Sequence, residues 1–135
     1  MPARKNARIV QTVMDVDLQG AESLTEFIAR RFAPVRIEAK HRDRILGIQG
    51  RFGSLMGVDF SRTEFSGDLR ITPQTAQDVI FFCLPLKNTL TFHFRHESIS
   101  ATPDMAVAMD MMTSPSLEIP DGYTHYALFL ARSLR

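Results

Sequence analysis

The chain has 135 residues, of which 44% are hydrophobic and 23% charged, with a net charge of +1 and a single cysteine, Cys83. This is the size of one domain with a real core, and one cysteine excludes an internal disulfide. No apolar run approaches the roughly 20 residues of a membrane-spanning helix, and the basic N-terminus lacks the apolar stretch of a secretory signal, so a reducing cytoplasm is the expected location.

Charge is unevenly spread. Residues 1–51 carry ten Lys/Arg and six Asp/Glu, and residues 52–135 carry six and nine. The basic excess, from Arg30 to Arg51, is interrupted by Glu38 and Asp43. A nucleic-acid module shows a denser basic face with stacking aromatics, so this one reads as solvated surface.

Residues 1–22 read as an N-terminal arm. The first predicted element is a helix. Ser23-Leu-Thr-Glu26 fits a capping box, and Leu24, Phe27, Ile28 and Phe32 fall on one face at helical spacing. Pro34 ends it, because the residue before a proline avoids the helical region. Val35, Ile37 and Ala39 then alternate with Arg36 and Glu38 as a first strand, so the helix is expected to pack on the outside of a sheet. Lys40 to Gly53 is polar and holds three glycines. It reads as a connection with a short extended piece at Ile45–Ile48.

From Leu55 onward, short alternating runs follow one another: Leu55–Phe60, Leu69–Thr72, Val79–Leu86, Leu90–Phe94, Ile99–Thr102 and Met105–Met109. Period-two alternation marks half-buried strands. Gly67-Asp68 and Arg95-His96-Glu97 are predicted hairpin turns, and Thr102-Pro103-Asp104 turns the chain again. Residues 113–116 read as a loop and Tyr123–Leu130 as the last strand. Many short strands with frequent turns predict an all-β sandwich or barrel.

Chemical motifs are sparse. His93 and His96 form an H-x-x-H run, but on a strand residues i and i+3 face opposite sides. His41 and His125 have no ligand-like neighbours in sequence. No metal site and no cofactor are therefore expected. No nucleophile elbow, phosphate loop or paired-carboxylate motif occurs. Cys83 lies in the apolar run VIFFCLPL, where burial suppresses thiolate chemistry. No catalytic residue is assigned. A ligand pocket should mix apolar walls with a few polar groups, and Phe60, Phe81, Cys83 and His93 are the candidate ligand-binding residues. Core packing is the competing reading for Phe60 and Phe81. His93 shares a face with Thr91 and Arg95, opposite Leu90, Phe92 and Phe94, so it reaches a cavity only if the interior holds polar ligand groups.

The stretches FIARRFAPVRIEAK, SLMGVDFSRTEFSGDLRITP and DVIFFCLPLKNTLTFHFRHESISATPDMAVAM carry a resemblance. In their order and spacing, over residues 24–131, the chain is similar to the N-terminal effector-binding domain of AraC/XylS-type transcriptional regulators. The sequence departs from that pattern at Lys87-Asn88 and at Pro103-Asp104, where the family often has glycine; Asn and Asp tolerate left-handed geometry, so both turns remain feasible.

The resemblance implies a cupin-like jelly-roll barrel with one N-terminal helix over residues 23–135, incomplete at its C-terminal end. It implies a small-molecule effector, a homodimer, no membrane, and DNA contact only through a C-terminal helix-turn-helix domain absent from this chain. Two alternatives stand beside this reading: a stand-alone metal-dependent cupin enzyme, and a structural fragment without a ligand.

Overall fold

The computed structural model describes residues 11–132. Among these residues, eleven strands build two facing antiparallel sheets, joined by one α-helix. The strands are β1 (Gln11–Gln19), β2 (Val35–Ala39), β3 (Gly47–Leu55), β4 (Val58–Ser66), β5 (Leu69–Pro73), β6 (Val79–Lys87), β7 (Leu90–His93), β8 (Ser98–Ala101), β9 (Val107–Asp110), β10 (Ser116–Ile119) and β11 (Thr124–Ala131); the helix α1 is Ala21–Arg31. Six strands lie in the order β1-β3-β4-β11-β6-β9 and five in the order β2-β5-β10-β7-β8. The chain passes back and forth between the sheets, which is the jelly-roll arrangement. The sheets face each other as a sandwich and do not close into one continuous barrel.

Alternation sorts the side chains. On β6, Phe81, Cys83 and Pro85 are buried while Phe82, Leu84 and Leu86 are exposed; on β11, His125 and Ala127 are buried while Tyr126 and Leu128 are exposed. On β7, Leu90 and Phe92 face inward as their period predicts. The core between the sheets is dense in aromatics: Phe81 stacks on Phe129 at 4.8 Å, and Phe129 meets Phe32 at 4.5 Å.

Several sequence expectations change. The capping box does not form. The helix starts at Ala21, and Gly20 (φ 98°) is its N-cap with no side-chain cap bond. Gly20 reverses the chain after β1, and its carbonyl accepts from Leu24 N–H, which places Ser23 inside the first turn. The helix also does not lie outside a sheet. It packs against β1, β2 and β3. Since β1 and β2 are edges of different sheets, α1 covers the open side of the sandwich.

Residues Gly47 to Gly53 are strand, not connection. Ile48, Gly50 and Phe52 share the inner face of β3, and Gly50 has a steric role: a Cβ there would sit 2.1 Å from the Arg62 carbonyl oxygen. The run Leu55–Phe60 is broken by a tight turn at Met56 (φ 51°) and Gly57 (φ 84°). Two consecutive positive φ values match the twist of a two-residue hairpin.

Gly67-Asp68 is not a hairpin. It carries the chain from β4 in one sheet to β5 in the other, locked by Gly67 N–H donating to Asp121 Oδ1 (2.7 Å) and Asp121 N–H donating to Asp68 Oδ1 (2.8 Å). Residues Ser116–Ile119, partly read as loop, form β10, the middle strand of the five-stranded sheet. The Met105–Met109 run narrows to Val107–Asp110, after which Met111–Thr113 make a 3-10 turn capped by Asp110.

The Arg95–Glu97 hairpin forms as expected, closed by Phe94 N–H to Glu97 O, and Asn88 takes the left-handed conformation that its turn requires (φ 69°).

Candidate functional site

Beneath α1, between the two sheets, lies a partly open cavity of about 100 Å³. Its walls come from every side: Phe27, Ile28 and Phe32 of the helix, Ile48 and Phe52 of β3, Phe65 of β4, Ile71 of β5, Phe81 of β6, Leu117 and Ile119 of β10 and Phe129 of β11. Among the described residues no Asp, Glu, Lys or Arg lines it. Its polar groups are Ser61, Thr63, Gln77 and His125. Few polar groups among apolar walls is the composition of a small-molecule site.

Thr63 on β4 and His125 on β11 are register partners. Opposed residues of an antiparallel pair share a face, with Cβ atoms about 4.5–5.5 Å apart. Thr63 Oγ1 is buried and has no hydrogen-bond partner among the described residues. His125 uses Nδ1 with Tyr123 Oη at 3.0 Å; among the described residues none bonds to Nε2. Cys83 Sγ closes the cluster, 3.0 Å from Tyr123 Oη and 3.6 Å from His125 Nδ1.

Burial holds the His125 imidazole down at about 4, so the ring is neutral at physiological pH. Burial likewise pushes the Cys83 thiol up to about 11 and raises the Tyr123 phenol. All three groups are therefore uncharged hydrogen-bond partners, with no thiolate available.

Of the proposed ligand residues, Phe60 and Cys83 both line a pocket of about 600 Å³ at the outer face of the six-stranded sheet, while Phe81 and His93 stand apart from them. Phe81 lines the cavity under α1. The Cys83 side chain is buried behind it, bonded to Tyr123. Phe60 is on the outer face of the six-stranded sheet, in register with Leu128, which is in turn in register with Phe82. His93 is on the outer face of the five-stranded sheet, hydrogen-bonded to Glu118.

Glu118 also takes Lys40 and lies 3.7 Å from Arg70. The Lys40 bond first, and the His93 bond second, hold its carboxyl at about 2. The two outer faces differ sharply. One is a lattice of charge pairs. The other exposes Phe82, Leu84, Tyr126, Leu128 and Leu130, with Arg62 over the Tyr126 ring at 5.9 Å.

Thr63 and His125 escaped the sequence reading. The available signal was period two along THYALFL, which sets His125 on the same inward face as Ala127 and Phe129.

Among the described residues, no three His, Cys, Asp or Glu side chains gather as a metal site, and no helix is long and apolar enough to cross a membrane.

The chain's fold is similar to that of the AraC-like transcriptional activator CuxR, with a TM-score of 0.64 at 8% identity, covering 89% of this chain and 48% of that one. It therefore spans about half the length of that regulator. It is also similar to the EutQ protein of Clostridium difficile, with a TM-score of 0.51 at 8% identity over 70% of this chain and 74% of that one. No curated protein matches the sequence. The AraC-binding-like domain profile matches residues 24–135, and with most of the chain so covered, the protein belongs to the AraC-binding-like domain family.

Proposed function

We propose that this chain is the small-molecule sensing and dimerisation domain of an AraC/XylS-type transcriptional regulator, acting in the cytoplasm and without enzymatic activity of its own. Family membership and the regulator-like fold support a ligand-binding regulatory domain. The observation that carries the sensing role is the cavity under α1, where Thr63 Oγ1 and His125 Nε2 stand unpartnered among apolar walls. A ligand that fits there touches both sheets and the helix at once. It would shift the population toward the conformation it fits best, and α1, packed on two sheet edges, is the element that reads out the change.

Dimerisation is assigned to the outer face of the six-stranded sheet. A second copy is the occupant. The face is apolar where the other sheet's outer face is charged, and the polar row crossing it carries both signs, with Arg51 bonded to Asp15 beside Arg62. A two-fold copy can therefore meet opposite charge. DNA contact belongs to a helix-turn-helix reader elsewhere in the regulator.

The test joins this chain to a monomeric helix-turn-helix reader. The fusion should bind paired half-sites more tightly than the reader alone, because dimerisation makes the second contact intramolecular. Equal affinity, together with monomeric sedimentation, would overturn the proposal.

A further inference from the structure

Resting on the reading of the cavity under α1 as the effector site, we infer that its ligand is a small uncharged carbonyl compound, held through one oxygen by Thr63 Oγ1 and His125 Nε2. Three observations converge on that chemistry.

The first is size. A dry cavity of about 150 Å³ takes one benzene ring, so a space of about 100 Å³ admits about four to six non-hydrogen atoms. The second is charge. No ionised side chain of the described residues lines the cavity, and an ion there would lose its hydration with nothing to replace it. A carboxylate or an ammonium ligand is therefore disfavoured.

The third is the direction of the hydrogen bonds. A phenol is a stronger donor than a thiol, and the imidazole nitrogen is the strongest acceptor in the cluster. The Tyr123 O–H thus donates to His125 Nδ1, and the Cys83 S–H turns to the Tyr123 oxygen. With Nδ1 accepting, the neutral ring carries its proton on Nε2, which becomes a donor. The Thr63 hydroxyl also has a hydrogen to give. Two donors on one face call for one oxygen with two lone pairs, and a carbonyl supplies it without a proton of its own. Tyr123 acts as a positioning residue that sets the His125 tautomer. Phe65 and Phe81 meet the His125 ring edge-on at 5.8 and 6.1 Å, which holds its plane.

The experiment titrates the chain with cyclopentanone, cyclopentane and isobutyrate, following amide and imidazole resonances by NMR. Cyclopentanone is expected to shift Thr63, Phe81 and His125, and to bind at least tenfold tighter than isobutyrate. Thr63→Val should weaken cyclopentanone by about tenfold, the worth of one buried hydrogen bond, and leave cyclopentane unchanged. Tyr123→Phe should weaken cyclopentanone too, and its ¹⁵N spectrum should show the His125 proton no longer confined to Nε2. Isobutyrate binding as tightly as cyclopentanone would overturn the ligand class and leave the cavity as effector site. Cyclopentanone affinity unchanged in Thr63→Val would overturn the two-donor arrangement. If none of the three compounds shifts the cavity resonances, both the ligand class and the cavity reading fall.

Discussion

Thr63 and His125 are partners across β4 and β11, 62 positions apart in the chain, and both stand on the inner face of the six-stranded sheet. One keeps an unpartnered hydroxyl and the other an unpartnered ring nitrogen. An unpartnered polar atom in an apolar interior costs stability, so the pair is a weak point in the fold as well as the chemical centre of the cavity.

Thr63→Val keeps the shape of the side chain and removes the hydroxyl. In the ligand-free chain it should raise stability by about 1 kcal/mol, since a buried group without a partner is replaced by an apolar one. Urea melts of the two proteins test this. A loss of similar size would mean that the hydroxyl has a partner after all.

Acid should act through His125. Its folded value of about 4 lies below the ordinary 6.5. Between these values the unfolded state binds the proton and the folded state does not, so stability rises with pH there. The contribution is intact above pH 6.5 and is lost as pH falls toward 4, on the order of 3 kcal/mol in all. An NMR titration should find the ring neutral at pH 5. A midpoint near 6.5 would contradict the burial argument.

Glu118 gives a second, lower window. Its folded carboxyl, near 2, is held below 4.5 by Lys40 and then His93. The stabilisation is present above pH 4.5 and fades as pH falls toward 2. Glu118→Gln should therefore cost about 1–2 kcal/mol at pH 7 and roughly half of that or less at pH 3. Chemical melts at the two pH values decide it.

The helix tests how far local signals carry. Ser23 looked like a cap, but the Gly20 turn starts the helix three residues earlier. Ser23→Ala should change stability by less than about 0.5 kcal/mol. Phe27→Ala removes a ring set edge-on to Phe52 at 5.0 Å and should cost about 2–3 kcal/mol, less than for a fully buried ring. A costly Ser23→Ala would restore the capping box.

The same contrast explains what the sequence disclosed. Val35–Ala39, Val79–Lys87, Leu90–His93 and Thr124–Ala131 are long or strongly alternating and stand out by period alone. β3 hid behind Gly47, Gly50 and Gly53, which local propensity assigns to loops; Gly50 is there because β4 comes too close for a side chain. β10 has four residues, too few for a period to register. The turn at Gly67 was visible, but which sheet the next strand joins depends on Asp121, more than 50 residues away. The cavity was hidden for that reason too. Phe81 could be placed by its period, but pairing Thr63 with His125 needs the strand order. His93 went outward with the polar face of its own strand.

The last prediction concerns the apolar face. Leu128 lies at its centre, between Phe60 and Phe82, and is 45% exposed; Phe82 is 39% exposed. Leaving these side chains in water is unfavourable at about 25 cal/mol per Å² of apolar surface, and a second copy removes that cost for both partners. Leu128→Glu places a carboxylate at the centre of the two-fold contact, opposite its own image. It should convert a dimer to a monomer in sedimentation while moving the melting midpoint little, because the position is outside the core. Ser100→Glu, on the outer face of the five-stranded sheet, should leave the dimer intact. If wild-type chain remains monomeric at all accessible concentrations, the face is not a dimer contact, and the sensing role would stand without it.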